Sequence, residues 1–220
     1  YTAGHEVEFE GSKMHSEWSR QPIQVYMSSL GPKSLHMAGE IADGVMLIGI
    51  HPEIVKWSIE QIHRGAQMAG RDPSKIDIWA RTMIYVASSK EEARREVASY
   101  AATNACDSYR SLLRRDTPEV KELRRRLEAV EPGSVEEIKA VYDAFDPYQH
   151  EVIDAPHSKA VSQRVIDFFL MTGTPEDICD QIAKLEPLGV SNISTVLYAI
   201  LDKKGMMREI GNRIMPNFRN

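Results

Sequence analysis

The sequence predicts an α/β protein organised on a parallel sheet. Two observations carry that reading: short apolar runs alternate with amphipathic stretches of helical period, and turn residues punctuate the junctions between them. Parallel strands need long crossovers, which are usually helices, so this alternation favours a parallel sheet. Four such strands fall at roughly residues 24, 45, 78 and 193. Four strands with their helices make half of a (β/α)8 barrel, and an open doubly wound sheet has the same periodicity. No GxGxxG fingerprint follows any of the strands, which counts against a dinucleotide-binding fold.

The elements follow in order. Tyr1–Ser19 carries neither a helix cap nor a targeting pattern; His5–Phe9 alternates like a short strand and Glu10-Gly11 reads as a turn. A start on Tyr1 reads as the middle of a longer polypeptide. Gln24–Ser29 is a β-rich run ending in small polar residues. Gly31-Pro32-Lys33 opens a helix with proline in its favoured first-turn position, and Leu35, Ala38 and Gly39 supply its packed face. Asp43-Gly44 turns into Val45–Ile50, apolar enough for a strand buried on both faces. His51-Pro52 opens a second helix whose Ile54, Val55, Ile59, Ile62 and Ala66 recur at helical spacing, ending near Gly70.

After a loop at Arg71-Asp72-Pro73, Ile76–Ala87 contains a third strand. Ser89 with Glu92 three residues on is a capping-box pattern, starting a helix that runs towards Cys106. Asp107 to about Leu170 breaks the rhythm: it is helical and charged, with loop signals at Pro132-Gly133 and around Asp146–His157. Arg124–Arg126 sit among Glu122, Glu128 and Glu131 and read as a solvated helix face. Thr174-Pro175-Glu176-Asp177 then caps a helix carrying Ile178, Ile182 and Leu185, and Gly189 ends it. Ile193–Tyr198 is the fourth strand, and a last helix runs from about Lys203 to Ile214. The whole reads as one domain, 1–220, with a helical insertion over about 107–170.

The bulk numbers bound the function. A 220-residue chain with 42% hydrophobic and 27% charged residues buries an ordinary globular core. A net charge of −5 gives no reason to expect a nucleic-acid or acidic-membrane partner. No apolar run approaches a membrane span and no signal peptide is visible. Cys106 and Cys179 lie far apart without metal-type spacing, and two thiols suit a reducing compartment, so a cytoplasmic protein is expected. Met27, Met46 and Met83 sit in strands as core filler, and Trp57 and Trp79 as packing.

In parallel α/β architectures the ligand lies at the C-terminal ends of the strands. After the first strand come Ser28, Ser29, Leu30, Gly31, Pro32 and Lys33. Two hydroxyls, a glycine and the free N–H groups of a helix start suit a phosphate, which the helix dipole also favours. A plain turn capped by Ser29 has the same pattern. His150 (beside Glu151) and His157 lie in the irregular part of the insertion, where substrate loops are often placed. An imidazole there is a candidate proton donor; loop packing competes, and the spacing matches no zinc motif. His51, just past a strand end, is a similar candidate.

The stretch Pro22–Val45, running strand, small-residue pair, Gly31-Pro32-Lys33, helix, then Ala38-Gly39-Glu40-Ile41-Ala42-Asp43-Gly44-Val45, resembles the signature of luciferase-like oxidoreductases. It is most similar to the branch of methylenetetrahydromethanopterin reductase and other enzymes of coenzyme F-420, a 5-deazaflavin. Weaker likeness covers His51–Asp77, including Ala69-Gly70-Arg71-Asp72-Pro73, and Phe168–Pro175, where Thr172-Gly173-Thr174-Pro175 resembles the family's Gly-Thr-Pro helix start. It is poor across about 107–145. The resemblance implies the C-terminal part of a (β/α)8 TIM barrel of the bacterial-luciferase type, with the first four strands absent. It implies hydride transfer, or monooxygenation, with coenzyme F-420 or FMN, on a small-molecule substrate, in a homodimer. Carried over by position, Ser28, Ser29, Gly31 and Pro32, with Leu30 between them, line the coenzyme's phosphate and ribityl chain. Gly44, Val45 and Met46 lie alongside on the next strand. A half-barrel that binds flavin or dimerises without catalysing is the alternative.

Overall fold

A computed structural model describes residues 24–150, 152–197 and 200–218. The readings of Tyr1–Ser19, of Pro22 and Ile23, of Glu151 and of the strand end at Tyr198 lie outside the described residues. Among the described residues there are six strands: β1 (Tyr26–Ser28), β2 (Gly44–Ile48), β3 (Asp77–Thr82), β4 (Ile84–Val86), β5 (Met171–Gly173) and β6 (Asn192–Thr195). The same residues form eight α-helices, seven between strands and one after β6: α1 (Pro32–Ile41), α2 (Pro52–Met68), α3 (Lys90–Ser108), α4 (Pro118–Val130), α5 (Ser134–Ala144), α6 (Gln163–Phe169), α7 (Pro175–Ala183) and α8 (Lys203–Glu209).

The main sheet has the order β1-β2-β3-β6, every pair parallel. Each strand is followed along the sheet by the next main-sheet strand of the chain, with no reversal. A doubly wound sheet reverses at a switch point; a barrel wall proceeds in one direction. The structure therefore decides between the two architectures that periodicity left open, in favour of the barrel segment.

The third predicted strand divides. β3 ends at Thr82 and, past the buried Met83, β4 leaves the main sheet to pair with β5 in a separate parallel ribbon. Thr82 closes the junction by donating to the Phe169 carbonyl (2.8 Å), and Ile84 N–H donates to Thr195 Oγ1 (3.0 Å). β5 is a strand that sequence reading missed, since three residues carry no period of their own. β2 stops at Ile48 instead of Ile50, because Gly49 turns away with φ 91°.

The predicted helix faces hold. Leu35, Ala38 and Gly39 are buried on α1, and Ile54, Val55, Ile59, Ile62 and Ala66 on α2. The two helices meet backbone to backbone: a Cβ on Gly39 would overlap the Ile62 carbonyl, and one on Gly65 the His36 carbonyl. Arg71 seals the end of α1, donating to the carbonyls of Gly39 (2.6 Å) and Ala42 (2.7 Å). Thr174 and Asp177 form the complete capping box of α7. At α3 the box is split. Ser89 accepts from Glu92 N–H, while the Glu92 carboxylate accepts from Ser88 instead.

The segment after α3 continues without a break through a π-type turn, Tyr109–Leu113. Leu112, Leu113, Leu123, Leu127, Ile138 and Val141 are all fully buried and join the main core, so this segment is a packed helical layer. The basic triplet of α4 differs from a wholly solvated face. Arg125 is exposed and pairs with Glu122, but Arg126 reaches Glu60 of α2 (3.0 Å) and Arg124 donates to the Leu113 carbonyl (3.0 Å). Among the described residues no helix is long and apolar enough to cross a membrane.

Candidate functional site

Alternation along the strands sorts the main sheet into two faces. Val45, Leu47, Ile78, Ala80 and Thr82 are buried beneath the helices. Tyr26, Ser28, Met46, Ile48, Trp79 and Arg81 point the other way and remain partly or fully exposed. Register aligns Ser28, Met46, Trp79 and Asn192 in one row, and Ile48, Arg81 and Ser194 in the next row towards the C-terminal ends. This second face corresponds to the interior of a barrel wall, open here.

Its two ends differ in character. At the N-terminal end the Asp77 carboxylate accepts from Tyr26 Oη (2.8 Å), Ser191 Oγ (2.9 Å) and Trp79 Nε1 (3.4 Å). The Tyr26 hydroxyl bond, first among these donors, holds the Asp77 pKa below the ordinary carboxylate value. One carboxylate thus ties the starts of β1, β3 and β6 together. That is a structural clamp, at the end of the strands where barrels keep stability residues.

At the C-terminal end lies the loop predicted for phosphate. Ser28 is exposed and Ser29 buried; Leu30, Gly31 and Pro32 are half-buried. Ser29 does not cap α1: its hydroxyl donates to the Ser34 carbonyl (3.3 Å), while Gly31 occupies the cap position with no side-chain bond. α1 has no acidic residue in its first turn and carries Lys33 there. Of the other helices that follow a strand, α2, α3 and α7 hold Glu53, Glu91 with Glu92, and Glu176 with Asp177 at that position, and α8, which has no acid in its first turn, is capped by the Asp202 carboxylate. A cation at a helix start works against the macrodipole, and α1 alone of these five has neither a first-turn acid nor a capping carboxylate, so its start leaves room for an anion. Gly31 also packs closely, since a Cβ there would lie 3.1 Å from the Ser111 carbonyl.

The second-strand residues do not gather at this loop. Met46 pairs with Ser28, but Val45 is fully buried on the helix side. Gly44 pairs with Tyr26 at the opposite end of the strand, where a Cβ would overlap the tyrosine ring. Gly44 is thus glycine for the sake of Tyr26.

A separate cleft lies elsewhere. It measures about 640 Å³, and its walls include His51, Lys90, Arg164, Asp167, Phe168 and Gln181. His51 stacks on Phe168 with ring centroids 4.1 Å apart, and its Nδ1 is buried with no hydrogen-bond partner. Burial lowers its pKa to about 4, so the ring is neutral at pH 7. Lys90 and Asp167 pair across the cleft at 2.8 Å, and Arg164 is held by Glu137.

The insertion histidines are tied into their own loop. His157 is buried; its Nδ1 accepts from Asp146 N–H (3.4 Å) and its Nε2 lies 3.3 Å from Ser99 Oγ on α3. That pattern fits a neutral ring donating from Nε2, and burial lowers its pKa. His150 is exposed, with Nδ1 2.9 Å from the Pro147 carbonyl. Both imidazoles therefore have packing partners, in a loop that rests on α3 and α5. Arg81 and Asp77 escaped sequence reading because each looks like the polar half of an alternating strand. Only the register shows that they face a barrel interior. Among the described residues no group of three or more His, Cys, Asp or Glu is placed to hold a metal ion.

The chain is 27% identical to a 5,10-methylenetetrahydromethanopterin reductase of Methanolobus tindarius over 96% of its own length, and 26% identical to the enzyme of that name from Archaeoglobus fulgidus over 98%. It spans 59% and 60% of those relatives' lengths. Among solved structures, the coenzyme F-420-dependent tetrahydromethanopterin reductase of Methanopyrus kandleri superposes with a TM-score of 0.66 at 23% identity, covering 90% of this chain and 51% of that one. At these identities the structural likeness establishes the barrel fold. The family model for luciferase-like monooxygenases matches residues 2–192, nearly the whole chain, and the chain belongs to that family.

Proposed function

We propose that the chain forms the C-terminal part of an oxidoreductase that moves a hydride between coenzyme F-420 and a small organic substrate. The observation that carries this reading is the loop Ser28–Pro32. It ends a strand on the open face of the sheet and leads into a helix start that has neither a capping side chain nor a carboxylate. The uncapped N–H groups of that helix start and the exposed Ser28 hydroxyl are the kind of donors a phosphate needs, so the residues present fit such a coenzyme. Relatives that align along nearly the whole of this chain are reductases, which favours the deazaflavin over FMN. When bound, the coenzyme supplies the hydride chemistry, and the chain supplies placement and a dry surface. Ser28 and Gly31 would hold the phosphate end, with Ser29 buried behind them shaping the loop, while Met46, Ile48 and Trp79 offer an apolar floor for a planar ring. No imidazole of the insertion is assigned a proton in this reading. The homodimer belongs to the same proposal and is tested by the mass of the intact protein in solution.

Titration of the full-length protein with coenzyme F-420 and with FMN, followed by ring fluorescence, tests the assignment. Ser28→Asp places a carboxylate in an exposed position at the loop. Binding should weaken by roughly tenfold or more, since like charges brought together cost several kcal/mol, with the melting temperature unchanged. Equal affinity in wild type and variant would remove the loop from the site.

A further inference from the structure

We infer that Arg81, with the Ser194 hydroxyl beside it, forms an anion-binding site on the open face of the sheet, for a phosphate or carboxylate carried by the molecule bound there. The inference rests on the reading above that this face holds the ligand.

Six arginines of the described residues are half-buried: Arg71, Arg81, Arg94, Arg124, Arg126 and Arg164. Five are satisfied. Arg71 donates to the ends of α1, Arg94 to the Val161 carbonyl (2.8 Å), Arg124 to the Leu113 carbonyl, Arg126 to Glu60, and Arg164 to Glu137. Arg81 alone has no side-chain partner among the described residues. A partly desolvated guanidinium without hydrogen bonds is costly, so such a group is retained where something else completes it.

Its placement says what kind of group that is. Arg81 is the penultimate residue of β3 and shares its row with Ile48 and Ser194. It therefore lies on the barrel-interior face near the C-terminal ends, where barrel enzymes bind ligands. The acid nearest in sequence on this face, Asp77, is four residues back and saturated by Tyr26, Ser191 and Trp79. Ser28 sits two strands away and two residues back, a separation of roughly 12 Å from strand spacing and rise. An extended arginine side chain covers about half of that, so one ligand can touch both the Ser28 loop and Arg81. The planar fork of arginine suits a carboxylate or phosphate in two-point contact, with Ser194 Oγ as an added donor.

The test uses the full-length protein as wild type, Arg81→Gln and Arg81→Lys, with three probes. Inorganic phosphate is followed by phosphorus NMR line width, and coenzyme F-420 and 5-deazariboflavin (a deazaflavin ring and ribityl chain without phosphate) by fluorescence. Arg81→Gln should abolish the phosphate broadening, and Arg81→Lys should keep most of it. Roughly tenfold or greater loss of coenzyme F-420 affinity, with 5-deazariboflavin unaffected, identifies the coenzyme's own anionic tail as the source of the anion. Unchanged affinity for both ring compounds, with broadening lost, assigns the anion to the substrate. Unchanged broadening and unchanged coenzyme affinity in Arg81→Gln overturn the inference. So does a large drop in the ligand-free melting temperature in both variants, which would mark Arg81 as half of an internal ion pair. If wild type binds neither ring compound, the coenzyme reading fails, and the phosphate arm still decides Arg81.

Discussion

His51 stacks on Phe168 and keeps a buried ring nitrogen without a partner, two features that make protonation unfavourable in the folded state. Its pKa falls from 6.5 to about 4 through burial. The unfolded chain therefore takes up a proton as pH drops below 6.5, and the native protein refuses it until about pH 4. Stability contributed by this group is complete above that window and declines as pH falls through it, by at most about 3 kcal/mol. His51→Phe keeps the stacked ring and removes the titration. Urea melts at pH 7, 6, 5 and 4.5 should show the variant losing less stability on acidification than wild type. Parallel curves would mean that the imidazole does not titrate differently in the two states. The sequence suggested His51 by its place after a strand, but nothing in it announced the stacking. Phe168 lies far along the chain and is brought over by α6, which docks through the bonds from Ile50 and His51 N–H to its own carbonyl.

Helices α1 and α2 approach each other at Gly39 and Gly65, where each glycine faces the carbonyl of the other helix. Alanine is the better helix former by about 1 kcal/mol. At Gly39 that preference loses, because the opposing atoms are the Ile62 carbonyl and Ala66 amide of α2, which no rotamer change can move aside. Overpacking of this kind costs about 1–3 kcal/mol, so Gly39→Ala should lower stability in denaturant melts. Exposed Gly70 is the control for handling, though its φ of 69° adds strain of its own to any substitution there. A Gly39→Ala protein as stable as wild type would mean that the helices separate freely. Elements with strong periods were readable in the sequence: α1, α2 and the four strands of the main sheet fall where apolar spacing puts them. The β4–β5 ribbon was not, since each strand has three residues and its identity lies in a partner more than eighty positions away. The loop Ser28–Pro32 was readable as a pattern. The separation of Gly44 from it depends on register, which periodicity does not fix.

Across the molecule, β1 pairs only with β2, and β6 only with β3, among the described residues. A barrel wall of four strands leaves two bare edges and an interior face that carries Tyr26, Met46, Ile48 and Trp79 partly exposed. Such edges invite further pairing. Residues 1–220 produced alone should therefore elute as an associated or aggregated species in light-scattering chromatography, and a monodisperse monomer that melts cooperatively would contradict this. The order β1-β2-β3-β6 could not be read from one sequence, because strand–helix alternation describes single and double winding equally well.

The pairing of β3 with β6 also has a temporal side. Ile78 and Ser191 are joined by hydrogen bonds although 113 positions separate them. During synthesis the third strand must wait, its hydrogen-bonding edge unpaired, until the entire helical layer has left the ribosome and the last strand arrives. Long-range parallel pairing is slow, and such waiting edges are where nascent chains go astray. The helical layer is thus made before the strand it precedes, and the time it takes to fold sets how long the sheet stays open to a wrong neighbour.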